Sequence, residues 1–303
     1  MKVLIVARKK ENGFAPFVTE QVEALKKIGV ECRYFPMEQR GLIGYLRRLP
    51  AFKKSIHSFN PDIIHAHYGL CGVFANLQRH VPVITTYHGS DINNKSVLPL
   101  SKLSVRLSVF NIFVSKKNID IVHPDKNFAL IPCGINLGDY PVIDKSEARQ
   151  QLRLKADGKY VLFSSAFDIP VKNAPLAKEA VKLLPNAELL EFKGYTRQQV
   201  GILLQAVDVL LITSHTEGSP QVVKEALACG CPVVSVDVGD VRERIDGIEG
   251  CWVVTPTKDD IANALKKALA FSGRTNGRKA LVASELTNDL VAGKLLGIYN
   301  SLK

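Results

Sequence analysis

Apolar and polar residues alternate along the chain in blocks that predict buried strands followed by amphipathic helices. The clearest block begins with Val207–Thr213, an almost unbroken apolar run that is typical of a strand buried on both faces of a parallel sheet. A polar break follows, and Ser219-Pro220 then predicts a helix start, with Ser219 as N-cap and Pro220 at the first helical position. Cys229-Gly230 ends this helix, and a second apolar strand follows at once.

The same alternation predicts further strands and helices on both sides of this block, and it repeats in two halves. Such repetition is typical of the α/β class, and we expect two Rossmann-like domains that face a central cleft. The domains are expected at 1–136 and 137–284. The predicted strands are Val3–Ala7, Val30–Phe35, Asp62–Ala66, Pro82–Thr86, Ile112–Ser115, Tyr160–Ser164, Glu188–Phe192 and Pro232–Val236, and the predicted helices include Phe17–Ile28, Asn173–Leu184, Thr257–Phe271 and Glu285–Leu302.

Length and composition limit the class of protein. The chain has 303 residues, enough for two ordinary domains, and 46% of them are apolar, which permits full cores. The first apolar segment is too short for a signal peptide, and no apolar run reaches the length of a membrane span. The six cysteines form no C-x-x-C pair, which favours a reduced, cytoplasmic protein without structural zinc.

Positive charge is concentrated in the first half of the chain. Residues 1–140 hold 19 Lys and Arg against 10 Asp and Glu, whereas residues 141–303 hold 21 against 19. Two basic stretches, Arg40–His57 and Asn93–Lys117, carry most of the excess, and Leu42, Ile43, Leu46 and Leu49 interleave with the first. This pattern predicts contact with an anionic surface, such as the cytoplasmic membrane leaflet. The alternatives are an ordinary solvated basic face and a groove for an acidic glycan; no nucleic-acid recognition motif accompanies the charge.

The helix that follows Val207–Thr213 offers a candidate anion site. The first backbone N–H groups of a helix lack partners and lie at the positive end of its dipole, and Gly218 allows a ligand to approach the backbone. Glu217 and Glu225 flank this position, and a carboxylate suits pairs of sugar or ribose hydroxyls. A phosphate at the helix end with hydroxyls at both carboxylates describes a nucleotide sugar. The predicted donor-binding residues are Gly218, Ser219, Pro220, Gln221, Val222 and Glu225.

These residues resemble the E-x7-E signature of family 4 glycosyltransferases. Glu217 and Glu225 lie within E-G-S-P-Q-V-V-K-E-A-L-A-C-G-C-P-V-V, between the two predicted strands. The resemblance implies the two-domain GT-B fold, a terminal segment, 285–303, that packs back on the first domain, and transfer with retention of configuration. The alternative interpretation is a capped helix with an exposed Glu225 that makes ordinary surface pairs.

The resemblance also implies roles for residues outside this motif. Lys172 matches a lysine that holds the donor's phosphates, while Ala166 stands where the family usually has an arginine. His88, within Tyr87-His88-Gly89-Ser90-Asp91, matches a histidine that approaches the transferring sugar. Gly13 is the single glycine of a first loop in which the family often has a pair, so its donor-binding role and a plain turn are both open. The candidate catalytic residues are thus His88, Glu217 and Lys172.

Two absences from the sequence narrow the chemistry. No D-x-D motif occurs, so we expect no metal and no cofactor beyond the nucleotide-diphosphate sugar. No G-x-G-x-x-G follows the first strand, which argues against a nicotinamide enzyme.

The resulting hypothesis is a metal-independent glycosyltransferase that moves a sugar to a glycan or lipid-linked acceptor in polysaccharide or glycolipid synthesis. We expect it in the cytoplasm, peripherally on the inner face of the membrane. The alternatives are a nucleotide-sugar 2-epimerase of the same architecture and a non-catalytic nucleotide-sugar-binding protein, and the missing arginine at Ala166 leaves the latter open.

Overall fold

The computed structural model describes residues 1–11, 13–39 and 41–302, apart from the side chains of Leu42 and Arg197. Asn12 and Arg40, which belong to the first loop and the first basic stretch, therefore lie outside the described residues, as does Lys303. The chain divides into two compact units, of which the first is Met1–Gly134 with Asn288–Lys303 and the second is Ile135–Thr287.

The first unit is an α/β unit whose sheet is covered on both faces. Its strands are β1 (Lys2–Lys10), β2 (Gly13–Phe14), β3 (Glu31–Met37), β4 (Ile63–His67), β5 (Val83–Tyr87), β6 (Phe110–Phe113) and β7 (Phe128–Leu130). Its helices are α1 (Pro16–Lys27), α2 (Gly41–Arg47), α3 (Leu49–Phe59), α4 (Gly69–Ala75), α5 (Ser90–Asn93), α6 (Leu98–Leu107), α7 (Lys116–Val122) and a terminal helix (Asn288–Ser301).

Parallel pairing orders the strands β3-β1-β4-β5-β6-β7, and β2 pairs antiparallel with the end of β1. Alternate residues of β1 enter different cores. Val3 and Ile5 pack with α1 and the terminal helix, whereas Leu4 and Val6 pack with α3 and α4. The apolar run at the start of the chain is thus buried on both faces, as the sequence predicts for a parallel sheet.

The second unit repeats this architecture. Its strands are β8 (Lys159–Phe163), β9 (Ala187–Glu191), β10 (Val209–Ile212), β11 (Val233–Val236) and β12 (Cys251–Val254), paired in parallel in the order β9-β8-β10-β11-β12. Its helices are α8 (Lys145–Gln151), α9 (Ala174–Val181), α10 (Arg197–Ala206), α11 (Gln221–Ala228), α12 (Val241–Ile245), α13 (Lys258–Ala270) and α14 (Gly277–Ala283).

Several predicted helix starts differ from the structure. Helix α11 begins at Gln221 with Pro220 as N-cap, so Ser219 is not the cap; its hydroxyl is bonded to another side chain instead. Asp144 precedes α8 but makes no side-chain cap hydrogen bond. Thr196 and Gln199 form a capping box at the start of α10, and Thr257 caps α13.

The first loop also differs from its prediction. Strand β1 continues to Lys10, and Lys10 pairs with Gly13, so Arg8–Lys10 are strand residues rather than loop. Gly13 has φ +95°, a left-handed conformation that glycine adopts without strain. The residues after β1 therefore form a hairpin that returns toward α1, and this hairpin places two cations beside a cavity described below.

Candidate functional site

Ligands of open α/β sheets bind outside the carboxyl ends of the strands, where the strand order reverses. In the second unit, β8 has β9 on one side and β10 on the other, so the strand order reverses between β8 and β10. Phe163 and Ile212 end these two strands. The loops that follow contain Lys172 and Glu217, so the topology places both predicted residues at the switch point.

Lys172 and Glu217 form an ion pair. The Lys172 Nζ lies 2.6 Å from Glu217 Oε1, and the two side chains are 23% and 13% exposed. Ser214, which is buried, donates its hydroxyl to the same carboxylate oxygen at 2.7 Å. Thr213 donates to the backbone carbonyls of Lys172 and Asn173 at 3.0 and 2.9 Å, which fixes the lysine-bearing turn against the end of β10. The cation and the carboxylate are thus held together with partial access to solvent.

The loop between Glu217 and α11 is held by the loop after β11. Ser219 donates its hydroxyl to Asp240 Oδ2 at 2.8 Å, and Arg244 Nε lies 3.1 Å from the same oxygen. A Cβ atom at Gly239, where φ is +54°, would lie 2.4 Å from the Gly218 carbonyl oxygen. Only glycine permits this approach, so Gly239 and Asp240 together set the backbone path into α11.

Glu225 is buried rather than exposed, so the alternative interpretation of ordinary surface pairs is wrong. It is 5% exposed and accepts a hydrogen bond from the Tyr140 hydroxyl at 3.1 Å. Arg278 donates to the carbonyls of Leu137, Tyr140 and Ala228, which ties the 137–140 segment to the end of α11. Burying a carboxylate is costly, and its retention here is consistent with a binding role.

The usual arginine position is occupied by Ala166, and nearby charges pair with each other. Asp168 pairs with Lys193 at 3.0 Å, both on the surface, while the Glu191 carboxylate accepts the backbone N–H of Phe167 at 2.6 Å. Lys172 takes no part in this surface pair, because its side chain pairs with Glu217.

The corresponding switch point of the first unit, at β1 and β4, lies beside a buried histidine cluster. His65 Nδ1 and Nε2 are hydrogen-bonded to the Tyr299 hydroxyl at 2.6 Å and the Thr86 hydroxyl at 2.7 Å. His67 Nδ1 lies 3.0 Å from His88 Nε2, and the three imidazoles are stacked in sequence. His65 and His67 lie on the same face of β4, because alternate residues of a strand point to the same side.

Burial sets the protonation of this cluster. It lowers the pKa of His65 well below its usual range and that of His67 to about 3, because a charged imidazole loses its hydration there. His67 is therefore neutral at neutral pH. His88 is half-buried, with its ring 4.5 Å from the Phe17 ring and its Nδ1 3.6 Å from Cys133 Sγ. The neutral His67 thus fixes the orientation of the predicted catalytic imidazole.

Asp91 joins the loops after β4 and β5. Its Oδ1 accepts the backbone N–H of His88 at 3.0 Å and its Oδ2 that of Gly69 at 2.9 Å. Burial raises the pKa of this carboxyl to about 6, and the backbone hydrogen bonds act in the opposite direction. Asp91 therefore positions His88 through the backbone.

Within the described ranges, 1–11, 13–39 and 41–302, no group of three or more His, Cys, Asp or Glu side chains could hold a metal ion. No helix found among these residues has the length and apolarity needed to cross a membrane.

Comparisons with known proteins agree with this architecture. A model of Glycosyltransferase Family 4 matches residues 2–139, and a model of Glycosyl transferases group 1 matches residues 158–270. The chain belongs to this family of glycosyltransferases, as the E-x7-E signature indicates.

One relative is a Bacillus subtilis protein named for teichuronic acid biosynthesis, TuaC. It is 28% identical over 68% of this chain and 61% of its own length, so the chain spans about three fifths of that relative.

Solved structures share the fold over the whole chain. Sucrose-phosphate synthase from Thermosynechococcus elongatus has a TM-score of 0.86 at 18% identity and covers 100% of this chain and 99% of its own. Anabaena HepE, crystallised in complex with UDP and also with UDP-glucose, has a TM-score of 0.79 at 17% identity in the UDP complex, covering 99% and 100%. The prediction of two Rossmann-like domains of the GT-B type is confirmed.

Proposed function

We propose that the chain transfers a sugar from a nucleotide-diphosphate sugar to a glycan or lipid-linked acceptor, with retention of configuration. The observation that carries this proposal is the Lys172–Glu217 pair at the switch point of the second unit, beside the first turn of α11. A cation and the amides at the start of a helix suit a diphosphate, and a carboxylate suits sugar hydroxyls. The complexes of HepE with UDP and UDP-glucose support a UDP-sugar donor.

In this reaction the donor carbon–oxygen bond breaks and the diphosphate leaves with the bonding electrons. Lys172 and the amides of Gln221 and Val222 stabilise the charge on the departing diphosphate, as an oxyanion site does. A diphosphate oxygen accepts the proton of the acceptor hydroxyl, which attacks from the same face, so no protein nucleophile is required. Glu217 holds the donor sugar's hydroxyls, Glu225 holds the ribose, and His88 approaches the transferring sugar.

The domain roles follow from these assignments. The second unit, which corresponds to the predicted domain 137–284, binds the donor. The first unit, which includes the terminal helix, binds the acceptor. The name of the Bacillus relative supports placing the reaction in polysaccharide synthesis.

A panel of nucleotide sugars, beginning with UDP-glucose, tests this function. Release of UDP together with a new glycoside or free sugar supports a transferase. Formation of an epimer of the donor sugar supports the epimerase alternative, and tight donor binding with neither product supports the non-catalytic binding protein. Absence of binding to every nucleotide sugar in the panel would contradict the proposal.

Peripheral membrane attachment is a separate part of the proposal. Ile43 and Leu46 of α2 are 69% and 51% exposed, and Arg47 beside them is exposed too. Arg48, by contrast, lies over the Phe35 ring at 5.1 Å and is a poor probe of the surface.

Co-sedimentation with anionic and neutral vesicles tests the attachment. We expect Arg47→Glu with Ile43→Ser to lower binding to anionic vesicles, while Lys27→Glu on α1 leaves it unchanged. Equal binding to both kinds of vesicle, or binding to neither, would remove the membrane from the proposal.

A further inference from the structure

The first unit contains a cavity of about 600 Å³ at the carboxyl ends of β1 and β4. This is the switch point of that sheet, the place where α/β units bind ligands. Its walls come from the β1–β2 hairpin, the segment after β4 and the helices α5 and α6. Tyr68 in one wall has φ +75°, a conformation that is rare for a bulky residue and that is found preferentially at functional sites.

The charges around this cavity are mainly positive. Arg8 and Lys10 line it, and Asp91 is the one acid among its described lining residues. Both carboxylate oxygens of Asp91 already accept backbone N–H groups, from Gly69 and His88. The acid is therefore occupied in holding two loops, whereas the two cations face the cavity.

Strand geometry explains why Arg8 and Lys10 act together. Successive residues of a strand point to opposite faces, so residues 8 and 10 share the face that Lys9 does not. Lys9 pairs with Glu38 at 3.2 Å on the other side. In the part of the chain that the structure describes, neither Arg8 nor Lys10 has an ion-pair partner.

Apart from Asp91, the remaining walls are uncharged and largely apolar. They include Phe14, Tyr45, Tyr68, Leu70, Val97 and Leu100. Burial raises the pKa of the Tyr45 and Tyr68 hydroxyls far above their usual range, so both remain neutral. The cavity thus combines two cations at one wall with uncharged surface at the others.

We propose that the acceptor carries an anionic group, a phosphate or a carboxylate, which Arg8 and Lys10 bind while its uncharged part lies against Tyr45, Tyr68 and Leu70. This inference rests on the proposed function, because it names the acceptor class of the same enzyme. The anion belongs to a lipid phosphate, a soluble sugar phosphate or a uronic acid, and the probes below distinguish these sources.

Binding measurements with matched probes test the proposal. The anionic probes are octyl phosphate, glucose 1-phosphate and glucuronate, and the neutral counterparts are octyl glucoside and glucose. We expect one or more anionic probes to bind at least about tenfold more tightly than the neutral counterpart, with an affinity that falls as salt is added. The tightest probe identifies the source. Equal binding of anionic and neutral probes, or no binding of any anion, would overturn the proposal.

Variants of one strand provide the control. Arg8→Gln with Lys10→Gln should weaken anion binding roughly tenfold or more, whereas Lys9→Gln should leave it unchanged. All three side chains are exposed, so folding should be retained, and equal melting temperatures check this. Equal losses in Lys9→Gln and in the double variant would overturn the proposal.

UDP binding, which is proposed for the second unit, provides a separate measurement. The double variant should keep the wild-type affinity for UDP, because its changes lie in the first unit. Failure of the wild type to bind UDP would contradict the proposed function alone, while Arg8- and Lys10-dependent anion binding would still stand.

Discussion

The switch points of the two sheets occupy the same topological position and carry different chemistry. In the first unit, three stacked imidazoles lie beside the strand ends, and two of them are fully buried. In the second unit, Lys172 and Glu217 form an ion pair that is partly open to solvent. The strand order is shared, so the difference comes from the residues in the loops that follow the strands.

Burial and pairing explain what each arrangement can do. Burial keeps His65 and His67 neutral, so these two imidazoles provide directed hydrogen bonds rather than charge. An ion pair in contact with solvent can exchange its partners, so Lys172 can turn from Glu217 to an anionic ligand without being left unpaired. The first switch point is therefore suited to orientation and the second to binding charge.

The largest effect on activity is expected from removing Lys172, the cation at the switch point of the second unit. Lys172→Met should lower kcat for UDP release from the active donor by roughly 100- to 1000-fold, the usual effect of losing one stabiliser of a developing charge. Steady-state kinetics of nucleotide release measure it. Lys193→Met is the matched control, because Lys193 lies at the same sheet edge in an exposed pair with Asp168. Comparable losses in both variants would contradict the assignment of Lys172.

The second-largest effect is expected on the pH dependence of unfolding, through the buried His67 of the first unit. The pKa of His67 is about 3 in the folded chain, below its usual value, so the unfolded chain binds more protons on acidification. His67 therefore contributes stability above pH 6.5 that is lost as the pH falls towards 3. Between pH 7 and 4.5 we expect this contribution to fall by roughly 2–3 kcal/mol.

Urea unfolding of the wild type and of His67→Gln at several pH values measures this contribution. The variant should lose less stability than the wild type on acidification. Asp91, whose raised pKa of about 6 stabilises the fold on acidification, acts in the opposite direction in both proteins, so their difference isolates His67. His215→Gln, at an exposed position, should behave as the wild type does. Parallel pH profiles for the wild type and His67→Gln would contradict the burial argument.

The third effect is expected on UDP affinity, through Glu225, the proposed ribose-binding residue. Glu225→Gln should weaken UDP binding by roughly 1.5–3 kcal/mol, because a charged hydrogen-bond acceptor is lost, and it should slow the bound complex less. Calorimetric titration with UDP measures the change. Tyr140→Phe removes the hydroxyl that donates to Glu225 and keeps the carboxylate, so UDP affinity should change little. Unchanged affinity in Glu225→Gln would contradict the ribose assignment.

The pattern of apolar runs was sufficient to predict the fold class, because strands buried on both faces and helices with one apolar stripe leave local signals. Lys172 and Glu217 follow recognisable strands, so their place at the end of the sheet could be inferred, while their roles came from the family resemblance and stay predictions. The role of Asp240 could not be predicted, because it depends on a contact with Ser219, which lies 21 residues earlier in the chain and is brought near by folding.

Element ends were less predictable for a related reason. The extension of β1 to Lys10 depends on pairing with Gly13. A hairpin of polar residues shows no hydrophobic periodicity, so the sequence does not predict this pairing. The sequence allowed Glu225 to be either a donor-binding carboxylate or an exposed residue on a helix surface, and only the packing of Tyr140 against α11 shows that it is buried.

The smallest effect, no effect at all, is expected from chelation. The sequence has no D-x-D motif, and no metal-binding group of three acids, histidines or cysteines occurs among the residues that the structure describes. If Lys172 and the first amides of α11 neutralise the departing diphosphate, UDP release should be unchanged in excess EDTA. Loss of turnover that manganese or magnesium restores would contradict this.

The same titration in Lys172→Met sharpens the test. A metal ion bound to the diphosphate can replace the missing cation, so the variant should regain part of its activity with magnesium while the wild type does not respond. Equal metal dependence in both proteins would show that the second switch point needs a metal even with its lysine in place. Its contrast with the neutral His65 and His67 of the first switch point would then no longer rest on Lys172.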